Sequence, residues 1–171
     1  MNIQKLQEMA KPRSEEAIKR AEERKAKRED QELLLKDLSA RLPYGVIVKT
    51  PYNNACLIGI TQRKSLKGEV FTDVITDKQT YPLRYNQPYL RPMSSMTEEE
   101  MEEMHKVLSP NGTARYKCDG IETPVTHIGD FLPYEYLSRV LDWLLAHHFD
   151  YIGLIPKGLA IEVTNDNNPY R

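Results

Sequence analysis

Between Arg13 and Glu32 the chain offers almost no hydrophobic positions, and beyond them they arrive together. Nearly every residue in that stretch is charged, and the apolar ones are Ala17, Ile18, Ala21 and Ala26. Opposite charges recur four residues apart, at Glu15/Lys19, Glu16/Arg20, Glu23/Lys27 and Lys25/Glu29, where side chains meet on a helix surface. This pattern predicts a helix standing in water or lying on a partner. Ser14 is its expected N-cap, with Glu15 and Glu16 against its positive end. At Leu33-Leu34-Leu35 the pattern changes. Leu35, Leu38 and Leu42 then recur at helical spacing, so the same helix is expected to dock on a folded body before Pro43 ends it.

The next stretch reads as strands. Tyr44 to Val48, Cys56 to Thr61 and Val70 to Thr76 are rich in β-branched residues. Pro51-Tyr52-Asn53-Asn54, the Lys67-Gly68 loop and Asp77-Lys78-Gln79 supply turns between and after them. The expected arrangement is an antiparallel meander of three to four strands, as a small sheet or barrel. Phe71 and Ile75 fall on one face of the last strand, Val70 and Val74 on the other. Pro88-Tyr89-Leu90-Arg91-Pro92 reads as an extended link and not as a central strand, because proline has no donor for a ladder. Thr97-Glu98-Glu99-Glu100 is a capping box, with Met96 and Met101 placed as its hydrophobic staple. Met101, Met104 and Leu108 give that helix an apolar edge, and Ser109-Pro110-Asn111-Gly112 stops it.

Asp119-Gly120 predicts a hairpin turn between residues 114–118 and 121–125, with Pro124 at an edge. The best helical periodicity runs from about Pro133 to His148. Leu137, Val140, Leu141, Leu144 and Leu145 line its apolar face, with Trp143 flanking. Leu159 to Val163 is a last strand, and 164–171 a frayed polar tail. The fold class is therefore α+β: a projecting charged N-terminal helix, a small antiparallel sheet or barrel, and two further helices. Residues 1–32 form a charged helical arm, 33–163 a single α+β globular domain and 164–171 the tail.

Charge adds one constraint. The 171 residues carry a net charge of -1, with eleven Lys/Arg against nine Asp/Glu in residues 1–42 and thirteen against sixteen in 43–171. The arm is dense in charge but nearly neutral, unlike a basic nucleic-acid arm or a membrane-surface helix. No apolar run follows Met1 and none approaches membrane-spanning length, so a cytoplasmic protein without a membrane partner is expected. Cys56 and Cys118, the two cysteines, are read as free thiols in a reducing compartment.

Candidate chemistry is sparse. His147 and His148 point about 100° apart on a helix, so a metal site would need His105, His127 or Cys118 together with Asp150. Histidines at a helix C-terminus are explained by its dipole, and no metal or cofactor is expected. Cys118 with His127, or the pair Ser94-Ser95, lacks the arrangement that activates a nucleophile, so no catalytic residue is assigned. The run from Glu98 to Glu103 suits a helix N-terminus without a cation. No Gly-rich phosphate loop is present. More substantial is a basic and aromatic cluster: Arg63, Lys64 and Lys67, then Tyr81, Arg84, Tyr85, Tyr89 and Arg91. Tyrosine faces beside guanidinium groups on a small β surface are what single-strand binding uses.

Three stretches carry a resemblance: Leu42-Pro43-Tyr44-Gly45-Val46, then Pro88 through Met96 to Glu100, and Asp142 through Tyr151, Gly153-Leu154-Ile155 and Lys157-Gly158-Leu159-Ala160. Over residues 33 to 163 the chain resembles small uncharacterised proteins of gut Bacteroidetes genomes and their phages. The resemblance implies an intracellular bacterial or phage origin and carries over no site residue. The leading functional reading is a non-enzymatic accessory protein that contacts another protein through its charged helix, self-association included. A nucleic-acid-binding protein using Arg63, Lys64, Lys67, Arg84, Tyr85, Tyr89 and Arg91 is the alternative, and an unrecognised enzyme the third.

Overall fold

The computed structural model describes residues 3–108, 115–118, 121–124 and 134–171, with side chains over 15–107 and 137–171. The first helix, α1, runs Ile3–Arg41. At 1.5 Å per residue it is about 58 Å long. It is already helical well before Ser14, so Ser14 is not its N-cap. Pro12 removes one backbone donor, but Lys5 to Lys11 on one side and Glu15 onward on the other are good helix formers, and propagation crosses the gap.

Residues 15–29 are exposed on every side of α1, and burial begins only beyond them. Glu16–Arg20 (3.4 Å) and Lys25–Glu29 (3.8 Å) close as expected from their spacing. Leu34 and Leu38 then enter the core. Leu42–Tyr44 is a 3-10 turn and not part of a strand, closed by Gly45 at φ 64, a left-handed conformation that glycine adopts without strain.

The sheet is open, not a barrel. Its strands are β1 (Ile47–Lys49), β2 (Asn54–Lys64), β3 (Val70–Thr76), β4 (Thr80–Pro82), β5 (Gln87–Leu90) and β8 (Ile161–Glu162). Their order is β4-β3-β2-β1-β5-β8, antiparallel except for the parallel β5/β8 pair. The prolines did not keep β5 out of the sheet interior: it pairs with β1 on one side and β8 on the other. The ladder to β8 starts at Tyr89, one residue past the proline that has no donor to give. Pro82 sits in edge strand β4, where a missing donor is tolerated.

β1 covers only Asn54–Cys56 of β2, and β4 covers only Asp73–Ile75 of β3. The far end of the β2–β3 hairpin therefore leaves the sheet as a ribbon. Burial follows this geometry: Val74 is fully buried, whereas Val70 and Phe71 are exposed.

Helix α2 (Glu98–Leu108) opens with the expected capping box: the Thr97 N–H donates to Glu100 Oε2 (3.0 Å) and the Glu100 N–H to Thr97 Oγ1 (3.2 Å). Met96 packs inward while Met101 stays exposed. Strands β6 (Arg115–Cys118) and β7 (Ile121–Pro124) pair antiparallel as a separate ribbon, and the Asp119-Gly120 turn lies outside the described residues. Helix α3 (Tyr134–Ala146) packs on α2. Its buried face is rotated from the expected one: Trp143 goes inside with Val140, Leu144 and Leu145, and Leu137 and Leu141 stay exposed. The rotation places the indole against the Phe149 ring, with centroids 5.8 Å apart.

Among the described residues two clusters form the core. Leu34, Leu38, Val48, Leu57, Leu90 and Leu154 lie in one, between α1 and the sheet. Met104, Val140, Trp143, Leu144 and Phe149 form the other, between α2 and α3. Residues 164–171 fold back instead of fraying. The Tyr170 hydroxyl donates to the Tyr89 carbonyl (2.8 Å) and accepts from the Ile47 N–H (3.2 Å). One tyrosine thus ties the C-terminus to β1 and β5.

Candidate functional site

The arm is held at its root by charges that the hydrophobic pattern hides. Asp37 and Arg41 lie one turn apart on α1 and are both fully buried. Arg41 Nε and Nη2 donate to the two Asp37 oxygens at 2.7 and 3.0 Å, and Nη2 also donates to the Phe149 carbonyl at 2.7 Å. The guanidinium carbon lies 5.8 Å from the Tyr151 ring centroid. Burial pushes the Asp37 carboxyl up from its ordinary value, against the pull of Arg41. The pair links α1 to the turn after α3, so the arm leaves the body in a fixed direction.

Nearby, Asp150 accepts the Leu154 and Ile155 N–H groups, both at 2.8 Å. His148, at φ 58, stacks on Tyr170 with ring centroids 4.0 Å apart. Burial first, then Arg41, His147 and Arg91, push the His148 pKa down to about 4. The unfolded chain therefore takes up a proton below about pH 6.5 that the folded protein refuses until about pH 4. Stability contributed by neutral His148 is expected to fall as pH drops through that window. In urea unfolding at pH 7 and 4.5, His148→Asn, which tolerates the left-handed backbone, should lose less stability on acidification than the parent.

Where α1 lifts away from the body, a recess opens on each side of it. One, of about 400 Å³, lies between Arg28, Glu32 and Leu35 of the arm and Arg63, Phe71 and Arg84 of the body. The other, of about 610 Å³, lies between Lys27, Gln31 and Leu34 and Lys49, Arg84 and Tyr85. Both share Gln31 and Arg84. The Arg84 guanidinium lies 4.6 Å from the centroid of the Tyr85 ring, which is 49% exposed. Lys157 closes on Asp30 at 3.6 Å beside the second recess.

The basic and aromatic residues read from the sequence are thus divided. Arg63, Arg84 and Tyr85 lie around the arm root, and Lys64 and Lys67 lie on the exposed ribbon that continues from Arg63. Arg63 is paired with the buried carboxylate of Asp73. Tyr89 is buried, its hydroxyl hydrogen-bonded to Asn54 Oδ1 (3.1 Å). Arg91 forms a two-pronged pair with Glu100 (2.6 and 2.8 Å) and lies over the Phe149 ring, and it holds the Glu100 carboxyl below its ordinary value. These two serve the core. Sequence reasoning missed Lys27, Arg28 and Lys49, whose only signal was charge, because helical phase and docking decide which arm residues face the body.

The other candidates are dispersed. His147 stacks on Trp143, with Nδ1 2.9 Å from its carbonyl and Nε2 4.0 Å from Glu103, while His148 faces Tyr170. Among the described residues no group of three His, Cys, Asp or Glu is placed to hold a metal ion. His127 and the Cys118 side chain lie outside the described residues. Burial, with Asp77 beside it, pushes the Cys56 thiol up, away from a reactive thiolate. Ser95 Oγ donates to the Pro92 carbonyl (2.8 Å), and Ser94 is exposed. No described helix is long and apolar enough to cross a membrane. Comparisons of the chain with protein-family models, curated proteins and solved structures return no match.

Proposed function

We propose that this is a non-enzymatic interaction protein that presents its charged helix to a partner protein. One observation carries the reading: α1 is exposed on every face over residues 15–29 yet clamped at its root by the buried Asp37–Arg41 pair. A solvated helix gains no stability for the body by extending so far, and a rigid root gives its charges a defined direction. Such a surface selects a partner by charge complementarity and register more than by apolar burial. A phage or prophage accessory factor is one form such a protein would take.

The test uses the full chain. Lys19→Glu, Arg20→Glu and Arg24→Glu together change exposed residues only, so stability should stay within about 1 kcal/mol of the parent. Affinity capture from the native host, read by mass spectrometry, should yield a protein retained by the parent and lost with this variant. Capture of the same proteins by both, or of none, overturns the reading.

A further inference from the structure

The recess between Lys27 and Tyr85 has a chemistry that the arm alone does not use. Its floor is the Arg84–Tyr85 shelf, where a guanidinium lies over a half-exposed aromatic ring. Its rim holds Lys27 from α1 and Lys49 from β1. Among the described residues no carboxylate comes within ion-pair distance of Lys27, Lys49 or Arg84. Asp30, the carboxylate on this side, is already matched by Lys157. Beyond Arg84 the positive path continues through Arg28, then to Lys64 and Lys67 on the ribbon; the carboxylates on that side are Glu32 and Asp73, the latter paired with Arg63.

We propose that this recess binds single-stranded nucleic acid, with Arg84 and Tyr85 stacking a base and Lys27 and Lys49 contacting phosphates. The ligand must be anionic, because the unmatched groups are cations, and it must offer a flat face, because the shelf does. An acidic peptide answers the first requirement less fully. Strand addition, one way of holding an extended peptide, is closed because β1 beneath Lys49 is paired on both sides, and carboxylate side chains offer no ring face to the shelf. Duplex nucleic acid answers the second poorly, since its bases stack on each other and not on a shelf walled by α1.

The experiment is fluorescence anisotropy with the full chain and labelled twelve-nucleotide oligo-dT and oligo-U, across a salt series. Binding at low salt is expected. Tyr85→Ala, an exposed change, should weaken it about tenfold. Lys27→Ala with Lys49→Ala should reduce the slope of log K against log salt by roughly 1.4. Lys19→Ala with Arg20→Ala, an equal charge change about two turns further out along the arm, should leave affinity and slope close to the parent. Absence of binding at low salt overturns the proposal, and so does equal loss from the remote pair, which would indicate diffuse attraction. Competition by polyglutamate of equal charge at equal concentration also overturns it, in favour of an acidic protein segment.

Discussion

Arg41→Ala is expected to destabilise the protein by about 3–5 kcal/mol. Both members of the Asp37–Arg41 pair are fully buried, and the guanidinium also satisfies the Phe149 carbonyl. Removing Arg41 leaves the buried Asp37 carboxylate without its partner and takes one of two donors from that carbonyl, which keeps only the Tyr151 N–H (3.2 Å). A cavity the size of the lost side chain adds to the loss. Urea unfolding followed by circular dichroism checks the magnitude. A loss below about 1 kcal/mol, the range of a surface pair, would show that the pair is hydrated in solution. Replacing both partners, Asp37→Leu with Arg41→Met, should recover most of the loss, since an apolar pair leaves no buried charge unmatched. If the pair sets the arm's direction, the double variant should also reorient the arm. Distance measurements between spin labels on the arm and on the body would detect that.

The second large effect belongs to Phe149. Phe149→Ala should cost about 3–5 kcal/mol, the range for deleting a buried aromatic ring. The ring is fully buried, stacked near Trp143 and covered by Arg91 at 4.3 Å. Its backbone is as occupied as its side chain: the N–H donates to the Leu144 carbonyl (2.9 Å) and the carbonyl accepts from Arg41. Phe149 therefore joins the α2–α3 cluster to the root of the arm. Combining Phe149→Ala with Arg41→Ala should cost less than the two single losses added together, because the groups share an environment. Additive losses in that cycle would show that the two clusters are independent.

Much of the architecture was legible from residue pattern. The capping box at Thr97 and Glu100 was readable because every partner is local, within one turn. The charged helix, the hairpin strands on either side of Asp119-Gly120 and the core helix containing Val140 and Leu144 were readable for the same reason. What escaped depends on long-range partners. β5 has two neighbours although it contains a proline, because β8, far along the chain, begins its ladder just past Pro88. Trp143 turned inward because Phe149 waits there. Tyr170 anchors the tail through backbone groups of β1 and β5.

The candidate site divides in the same way. Arg63, Arg84 and Tyr85 stood out in the sequence and do lie around the arm root, but Tyr89 and Arg91, identical in type, serve the core. Lys27 and Lys49 were indistinguishable from other lysines until α1 had a direction.

By itself the sequence determined the helix, its near-neutral charge and the point at Leu33 where solvation gives way to burial, because periodicity and i,i+4 pairing act over a few residues. Only the tertiary structure decided that Asp37 and Arg41, ordinary charges in a charged helix, are buried together, and that a recess opens where the arm leaves the body. Burying an ion pair is favourable only when both partners and a waiting carbonyl arrive at one place, and no local pattern specifies that meeting.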